Sequence, residues 1–434
     1  MHVAVIGGGC AGLAAAARLA EQHIPVTLFE SSPQLGGRAR GIQWKGQSLD
    51  NGQHILLGAY SETLSLLRLA GVAENQAMLR LPLQLTMQPD FDLRACNALP
   101  APLHILAGLI QAKGLSWRDR WSAVRFMSWM KLIDFKLKQD VALGTLLNNH
   151  GQSPKLAKML WEPLCLAALN TPLASASAQV FINVLRDSFS KAKSDSDMLL
   201  PRLDLSQLMA EPLACFIRNN GGHIKTGISV DGLQQQNRQF SVTTADGNIT
   251  NFSHAIIAVS PFRLPALVKH LPALDAAARL CKAMQYQPIC TVYVQYPEHV
   301  KLPSPMTGLT AGLGQWVFDR GRLYGQRGLI AVVISAEGEH QELSQPALIN
   351  RVTEELGIAF PTLVTQLSQP LWHKVITEKR ATFACSVDLE RPQMITDTPQ
   401  LYLAGDYIAG DYPATIEGAV RSGTNAAKAI IQSI

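Results

Sequence analysis

Apolar runs and alternating segments divide this chain of 434 residues into predicted strands and helices. The run at residues 3–6 predicts a buried strand, and residues 13–21 predict a helix directly behind it. Residues 25–29 form a second apolar run, so the chain begins as a β-α-β unit. Residues 240–244 and 249–252 flank an Asp-Gly pair and predict a hairpin. The pattern therefore predicts an α/β chain with a parallel sheet near its start.

Further segments extend this pattern. Residues 91–205 are predicted to be mostly helical, and another helix is predicted at residues 205–218. Additional strands are predicted at residues 223–230, 255–259, 289–295 and 329–335.

A glycine turn joins the first strand to the first helix. Gly7, Gly9 and Gly12 have G-x-G-x-x-G spacing, which lets the backbone approach a pyrophosphate at the helix N-terminus. Glu30 ends the next strand, 18 residues beyond Gly12 (30 − 12 = 18). A carboxylate there accepts hydrogen bonds from the ribose hydroxyls and repels a 2′-phosphate, so the sequence predicts a dinucleotide site that disfavours NADP.

Two other segments favour FAD over NAD. Residues 35–38, Leu-Gly-Gly-Arg, resemble the second phosphate-contacting loop of the amine oxidase and phytoene desaturase flavoproteins. Residues 401–406, Leu-Tyr-Leu-Ala-Gly-Asp, resemble the Gly-Asp motif of the same proteins. The resemblance implies that the carboxylate of Asp406 binds the ribityl chain. The cysteine context of covalent-flavin monoamine oxidases is absent around Cys385, so the FAD is expected to be non-covalently bound.

The C-terminal segment also points to the flavin. Residues 412–423 resemble the Y-x-x-S-M-E-G-A-x-x-S-G stretch of plant-type phytoene desaturases, with Thr415 and Ile416 in place of Ser and Met. Pro413 predicts a helix start and Thr415 a cap. A helix N-terminus aimed at the flavin would stabilise the negative charge of its reduced form, and tight helix packing is the alternative interpretation. The predicted FAD-binding residues are Gly7, Gly9, Cys10, Ala11, Gly12, Glu30, Gly37, Arg38, Gln53, His54, Val230, Gly405, Asp406, Thr415 and Ile416.

Three internal segments resemble a narrower family, the hydroxysqualene dehydroxylases, also known as squalene-associated FAD-dependent desaturases. They are residues 50–60, 160–172 and 199–206. This resemblance implies reduction of hydroxysqualene to squalene in hopanoid biosynthesis, with a hydrophobic isoprenoid as substrate. It also implies an α/β fold of the amine oxidase and phytoene desaturase type, with a Rossmann-like FAD-binding domain and an α+β substrate domain.

Candidate acids for this reaction are His54 and Glu162, because the departing hydroxyl needs a proton. A structural histidine under the flavin is the other interpretation of His54. Trp161 and residues 164–169 either line a hydrocarbon tunnel or belong to the ordinary core. In the tunnel interpretation, Glu162 and Asn170 are the polar groups that meet the substrate hydroxyl. No separate NAD(P)H fingerprint is present, so the electron donor is not identified.

The domain organisation is predicted to be discontinuous. The FAD-binding domain comprises residues 1–90, 205–261 and 381–434. Residues 91–204 form a helical substrate or lid region, and residues 262–380 form the sheet and helices of the substrate domain.

Composition and charge limit the classes of binding partner that are expected for this chain. Charged residues make up 16% and hydrophobic residues 47% of the chain, which indicates a large core or a large apolar cavity. The net charge of +5 comes without a long basic run, so no nucleic-acid partner is expected. Seven scattered cysteines without metal-ligand spacing predict reduced thiols, a cytoplasmic protein and no metal site. No uninterrupted apolar stretch reaches roughly 18 residues, so no spanning helix is predicted.

Residues 102–137 have the composition of an interfacial helix pair. An apolar run at residues 102–110 precedes aromatic and basic residues, which predicts peripheral, salt-sensitive contact with the inner face of an anionic membrane. A helical lid with its tryptophans turned into the core is the alternative. The residues concerned are Trp117, Arg118, Arg120, Trp121, Arg125, Trp129, Lys131 and Lys136.

Other functions remain open at this point. A carotenoid-type desaturase would use the same cofactor site in the oxidative direction, and an FAD-dependent amine oxidase is a further alternative. A lipid-binding protein similar to the Rab escort and dissociation-inhibitor proteins would not need FAD. The presence of Gly7, Gly9, Gly12, Glu30 and Asp406 disfavours that last interpretation.

Overall fold

The structure, a computed structural model, describes residues 1–189, 191–236 and 239–433. Its strands are β1 (Val3–Ile6), β2 (Val26–Glu30), β3 (Gly41–Trp44), β4 (Gln47–Asp50), β5 (Leu56–Leu57), β6 (Met78–Leu81), β7 (Gln84–Gln88), β8 (Phe91–Arg94), β9 (Met198–Pro201), β10 (His223–Thr226), β11 (Val230–Gln236), β12 (Gln239–Thr244), β13 (Ile249–Phe252), β14 (His254–Ile257), β15 (Tyr286–Gln295), β16 (Met306–Leu309), β17 (Trp316–Asp319), β18 (Leu329–Ser335), β19 (Trp372–Phe383) and β20 (Leu401–Leu403). Its α-helices are α1 (Cys10–Glu21), α2 (Ser61–Leu69), α3 (Glu74–Ala77), α4 (Leu103–Gln111), α5 (Trp117–Leu132), α6 (Leu143–Asn149), α7 (Pro154–Leu156), α8 (Glu162–Leu169), α9 (Ala178–Phe189), α10 (Glu211–Asn219), α11 (Leu264–Leu267), α12 (Asp275–Ala283), α13 (Arg320–Tyr324), α14 (Gln345–Ala359), α15 (Val364–Leu367) and α16 (Ile416–Ile431).

A five-stranded parallel sheet forms the centre of the first part of the fold. Its strand order is β10-β2-β1-β14-β20, and every neighbouring pair is parallel. β1 and β14 are buried along their whole length, because strands inside a parallel sheet are covered on both faces. The sheet therefore joins strands from residues 3–6 and residues 401–403, which are far apart along the chain.

Helices α1 and α16 pack with their backbones in close approach. A Cβ atom at Gly423 of α16 would lie 2.0 Å from the carbonyl oxygen of Ala11. On α1, a Cβ atom at Gly12 would lie 1.8 Å from the carbonyl oxygen of Gly7. A side chain at Gly423 would collide with the backbone of α1, and one at Gly12 with the turn after β1, so glycine is required at both close approaches.

A seven-stranded sheet forms the second part of the fold, in the order β19-β15-β18-β17-β16-β7-β8. Alternate residues of β15 face opposite sides: Val292 and Val294 pack with α14, whereas Tyr293 packs in the main core. β7 and β8 flank residue 90, so the boundary placed there by the sequence falls inside this sheet. Smaller sheets comprise β11-β12-β13, β5-β9-β6 and the hairpin β3-β4.

Several local predictions can be compared directly with these elements. The strand at residues 329–335 and the hairpin of β12 and β13 are confirmed. The strand at residues 223–230 is wrong in extent, because the backbone turns at Gly227 with φ +71° and β11 begins only at Val230. The helix at residues 205–218 begins as a π-helical segment, Ser206–Ala210. Pro413 does not start α16, since the helix begins after Thr415.

Candidate active site

A cleft of about 2390 Å³ opens at the carboxyl ends of the parallel strands. Segments that follow β1, β2, β14 and β20 line it, and this edge of such a sheet is where dinucleotides bind. The cleft brings together most of the residues that the sequence predicts for FAD: Gly7, Gly9, Cys10, Ala11, Glu30, Gly37, Arg38, His54, Val230, Gly405, Asp406, Thr415 and Ile416. Gly12 and Gln53 are not among its lining residues, because Gly12 packs behind the turn and Gln53 lines an adjacent cavity.

Two glycine loops meet at the floor of the cleft. The amide of Gly36 donates a hydrogen bond to the carbonyl of Gly8 at 2.9 Å. A Cβ atom at Gly37 would lie 3.2 Å from the Cα atom of Gly9, whereas one at Gly9 would meet nothing within 4 Å. The space beside Gly9 is therefore open towards the cleft, next to the N-terminus of α1. A phosphate group fits this cradle of backbone amides.

Glu30 holds the loops in place at the end of β2. One carboxylate oxygen accepts a hydrogen bond from the amide of Gly8 at 2.7 Å, and the other accepts one from the amide of Ser32 at 2.7 Å. A carboxylate has about four acceptor positions. The hydroxyl of Ser31 donates a third hydrogen bond, at 3.3 Å, to the same carboxylate. Glu30 can therefore still accept a hydrogen bond from a ribose hydroxyl while it holds the turn.

Arg38 and Asp406 connect the second glycine loop with the C-terminal motif. The guanidinium lies 2.7 Å from the Asp406 carboxylate and donates another hydrogen bond to the carbonyl of Ala381 at 2.7 Å. Burial acts to lower the pKa of Arg38, but the Asp406 carboxylate outweighs it and raises this pKa. The Arg38 guanidinium therefore stays charged, and the two side chains lie where they could contact a phosphate and a polyol chain.

The N-terminus of α16 faces the same cleft. The side chain of Thr415 accepts a hydrogen bond from the amide of Gly418 at 3.0 Å, which confirms its prediction as the cap. Thr415 and Ile416 line both the cleft and the adjacent cavity. The positive end of the helix dipole is thus placed where it favours a negative charge.

A buried arginine, Arg320, holds the segment at residues 50–54 in place. No sequence pattern indicated this residue. Arg320 is fully buried and donates hydrogen bonds to the carboxylate of Asp50 at 3.1 Å and to the side chain of Gln53 at 2.7 Å. Gln53 in turn donates to the phenol oxygen of Tyr324 at 2.8 Å. The guanidinium lies 3.7 Å from the centre of the Tyr324 ring, a close cation–π contact.

His54 lies at the end of this segment and lines the cleft. Its Nδ1 atom lies 2.5 Å from the carbonyl oxygen of Gly52, which identifies Nδ1 as the hydrogen-bond donor. Burial lowers the pKa of His54, although Asp50 and the Gly52 carbonyl act in the opposite direction. A neutral ring in this tautomer presents Nε2 as an acceptor, a property of a hydrogen-bonded structural histidine. Its role as a proton donor stays a prediction.

An apolar cavity of about 980 Å³ lies beyond the cleft, and most of its lining residues are aliphatic or aromatic. A third cavity, the middle cavity, lies between them and has a volume of about 1040 Å³. It shares His54 and Thr415 with the cleft and Ile55, Tyr60 and Trp316 with the apolar cavity. The shared residues make a continuous path from the cleft to the apolar space. Leu164, Ala167 and Ala168 line it, as the tunnel interpretation predicts.

Other candidates of the same helical segment contribute less to that path than the tunnel interpretation predicts. Trp161 is only 1% exposed and donates a hydrogen bond to Gln152 at 2.9 Å, so it belongs to the core. Asn170, the left-handed residue after α8, lines the middle cavity, but its side chain is already hydrogen-bonded to Thr382 and to backbone groups. Glu162 begins α8 and is not among the lining residues of the three spaces. Its role as an acid stays a prediction.

The residues of the cleft fit an FAD molecule. The open cradle beside Gly9 suits a pyrophosphate, and Glu30 retains an acceptor position for a ribose hydroxyl. The ion pair of Arg38 and Asp406 suits a phosphate and a ribityl chain. The apolar path begins at His54 and Thr415, at the edge of the cleft. The arrangement suits redox chemistry on a ligand with little polarity.

Comparison with known proteins agrees with this geometry. The family model described as flavin containing amine oxidoreductase matches residues 10–431. The hydroxysqualene dehydroxylase of Zymomonas mobilis is 26% identical over 98% of this chain and 97% of its own length. The probable zeta-carotene desaturase of Synechococcus elongatus is 22% identical, covering 100% of this chain and 99% of its own. A triple mutant of putrescine oxidase has a similar fold, with a TM-score of 0.76, 16% identity and coverage of 100% and 99%.

Proposed function

The chain belongs to the flavin-containing amine oxidoreductase family and is an oxidoreductase with FAD as its cofactor, and on this premise we propose that it reduces hydroxysqualene to squalene. The observation that carries the proposal is the apolar cavity of about 980 Å³ that continues from the cofactor cleft. A polyene of low polarity suits such a space, whereas a charged amine would lose its hydration there. The similarity to hydroxysqualene dehydroxylases supports the same substrate.

The proposed reaction replaces a carbon–oxygen bond with a carbon–hydrogen bond and releases water, using two electrons and two protons. Reduced FAD supplies a hydride when it is bound. The protein's part is to exclude water and to hold the allylic carbon at the inner end of the cavity. Trp316 and Thr415 lie where the cavities join, so we expect them to position that carbon.

A carotenoid-type desaturase is the second candidate, and the similarity to zeta-carotene desaturases supports it. It would use the same cleft and cavity with oxidised FAD. One experiment separates the two. Dithionite-reduced enzyme is incubated anaerobically with hydroxysqualene, and lipids and flavin absorbance are then analysed.

Squalene formed together with reoxidised flavin is the expected result, in a stoichiometry of one per flavin. Enzyme that is left oxidised serves as the control and should leave hydroxysqualene unchanged. Absence of turnover by the reduced enzyme, with dehydrogenation of a polyene by the oxidised enzyme, would replace the proposal with a desaturase.

We also propose that the surface of α4 and α5 contacts an anionic membrane. Within residues 1–189, 191–236 and 239–433, no helix has both the length and the apolar character needed to cross a bilayer. The tryptophans of α5 differ in position: Trp117 and Trp121 are 65% and 56% exposed, whereas Trp129 packs against Phe126. The exposed apolar residues of this surface are Leu103, Ile110, Trp117, Trp121 and Leu132.

The same surface lies over the apolar cavity. Phe126, on the buried side of α5, contacts Trp161, and Trp161 contacts Phe181, which lines the cavity. Arg118 and Arg125 are exposed beside the tryptophans. Exposed aromatic rings with flanking cations are typical of interfacial helices. A lipid substrate would thus have a short path from a bilayer to the cavity.

Replacing Arg118 and Arg125 with glutamate is expected to abolish co-sedimentation with vesicles that contain anionic lipid, because the net charge of the contact surface falls by four units. Arg120 is left unchanged, since its guanidinium donates hydrogen bonds to the carbonyls of Leu115 and Ile110. Matched substitutions of Arg279 and Lys282, exposed residues on α12, should leave binding intact. Membrane binding that survives the α5 substitutions would contradict the proposal that this surface contacts the membrane. Equal loss of binding with the α5 and the α12 substitutions would contradict it as well.

A further inference from the structure

We infer that Tyr412 and Asp187 bind the hydroxyl group of an isoprenoid alcohol on the wall of the apolar cavity. The inference rests on the proposed function and names the groups that would recognise the single polar atom of its substrate. Neither residue was a candidate in the sequence analysis.

The pair combines a carboxylate and a phenol on the wall of an otherwise largely apolar cavity. Among the described residues that line the apolar cavity, Asp187 is the only one with a charged side chain. The phenol of Tyr412 donates a hydrogen bond to Oδ2 of Asp187 at 2.7 Å, and the Asp187 side chain is only 9% exposed. A buried carboxylate facing an otherwise apolar space is costly unless a ligand or partner uses it.

The carboxylate retains one acceptor position. Oδ1 accepts hydrogen bonds from Arg186 at 2.9 Å and Lys191 at 3.3 Å, and Oδ2 accepts the one from Tyr412. Counted over the described residues, these three bonds leave one of about four positions. Burial acts to raise the pKa of Asp187, but the hydrogen bonds from Arg186 and Tyr412 outweigh it and hold this pKa below its ordinary value. The group is therefore ionised at neutral pH.

The phenol oxygen of Tyr412 is a second acceptor. Its hydrogen points to Asp187, and within the described part of the chain no donor is bonded to the oxygen itself. The pair thus offers acceptors and no spare donor. This chemistry recognises a ligand that donates a hydrogen bond, such as an alcohol, and gains nothing from a hydrocarbon.

The pair also lies close to the cofactor cleft. A Cβ atom at Gly418 would lie 3.3 Å from both the Cβ atom of Tyr412 and the side-chain oxygen of Thr415. Thr415 lines the cleft, the middle cavity and the apolar cavity. The Cβ atom of Tyr412 therefore lies beside the N-terminus of α16, and its side chain lines the same apolar cavity as Thr415.

The same contacts also tie α9 to the segment before α16. Arg186 forms an ion pair with Asp411 at 3.1 Å, and Asn183 donates a hydrogen bond to the carbonyl of Asp411. A purely structural link would affect every ligand of the cavity equally. The test must therefore compare ligands that differ only in the hydroxyl.

Oxidised holoenzyme provides this comparison, because it holds no electrons for the reduction. Dissociation constants for hydroxysqualene and squalene in detergent micelles are measured from the change in flavin absorbance. Wild-type enzyme is expected to bind the alcohol about tenfold more tightly than the hydrocarbon, and Tyr412→Phe and Asp187→Asn should each remove most of this preference. Affinity for squalene should change less than twofold.

Tyr60→Phe is the matched control, since it removes a phenol oxygen from the same cavity and should keep the preference. Equal loss of affinity for both ligands in the Tyr412 variant would identify a structural link and overturn the inference. A wild-type enzyme that turns over hydroxysqualene without preferring it to squalene would also overturn the inference, while the proposed function would stand. Failure of turnover by reduced wild type would count against the proposed function itself.

Discussion

Replacement of Arg320 with methionine is expected to lower the free energy of unfolding by about 3–5 kcal/mol, as removal of one partner from a buried ion pair usually does. The guanidinium is fully buried, and its loss would leave the carboxylate of Asp50, 1% exposed, without a cation. Total stability is about 5–15 kcal/mol for a typical protein, so the effect would be a large fraction of it. Urea unfolding followed by tryptophan fluorescence measures the change.

Arg327→Met is the matched control. Arg327 lies 3.9 Å from Glu298 with both side chains more than 70% exposed, and such a pair contributes only about 0–1 kcal/mol. The double variant Arg320→Met with Asp50→Asn should regain part of the lost stability, because it also removes the unpaired charge. Equal effects of the Arg320 and Arg327 substitutions would show that the buried network is not a major source of stability.

Replacement of Glu30 or Asp406 with alanine is expected to weaken FAD binding by about tenfold or more. Each substitution removes a charged hydrogen-bonding partner, which contributes about 1.5–3 kcal/mol. Glu30→Ala also frees the amides of Gly8 and Ser32, and Asp406→Ala leaves Arg38 without its carboxylate. Titration of apoprotein with FAD, followed by flavin fluorescence, gives the dissociation constants.

Glu298→Ala removes an exposed carboxylate of the seven-stranded part and should leave the FAD affinity unchanged. Flavin released by acid precipitation reports occupancy and also tests non-covalent attachment. Wild-type affinity in both the Glu30 and Asp406 variants would mean that the ribose and ribityl contacts come from other residues of the cleft.

The sequence predicts many residues of the cofactor cleft, because these residues belong to short local motifs. The glycine turn and the cap at Thr415 depend on neighbours within a few residues, and Glu30 contacts Gly8 across a separation of 22 residues within the same β-α-β unit. β18 is likewise a continuous apolar run, and the structure forms it over the same residues, 329–335.

The polar groups around the substrate path could not be predicted in this way. Arg320 lies 270 residues from Asp50, and Tyr412 lies 225 residues from Asp187. No local sequence pattern identifies either pair, since only the folding of the chain brings the two residues of each pair together. Trp161 shows the opposite limit: an apolar residue on a helix gives no sign of whether it faces a cavity or the core, and here it faces the core.

The parallel sheet has a consequence for how the protein forms during translation. β1 pairs with β14, which pairs with β20, so the central strand of the sheet is made about 250 residues before one neighbour and about 400 residues before the strand at the edge. At roughly 5–20 residues per second, the ribosome needs about 20–80 s between β1 and β20. Throughout that interval Gly405, Asp406 and the cap of α16 do not yet exist, so capture of the flavin is a late event that follows synthesis of nearly the whole chain.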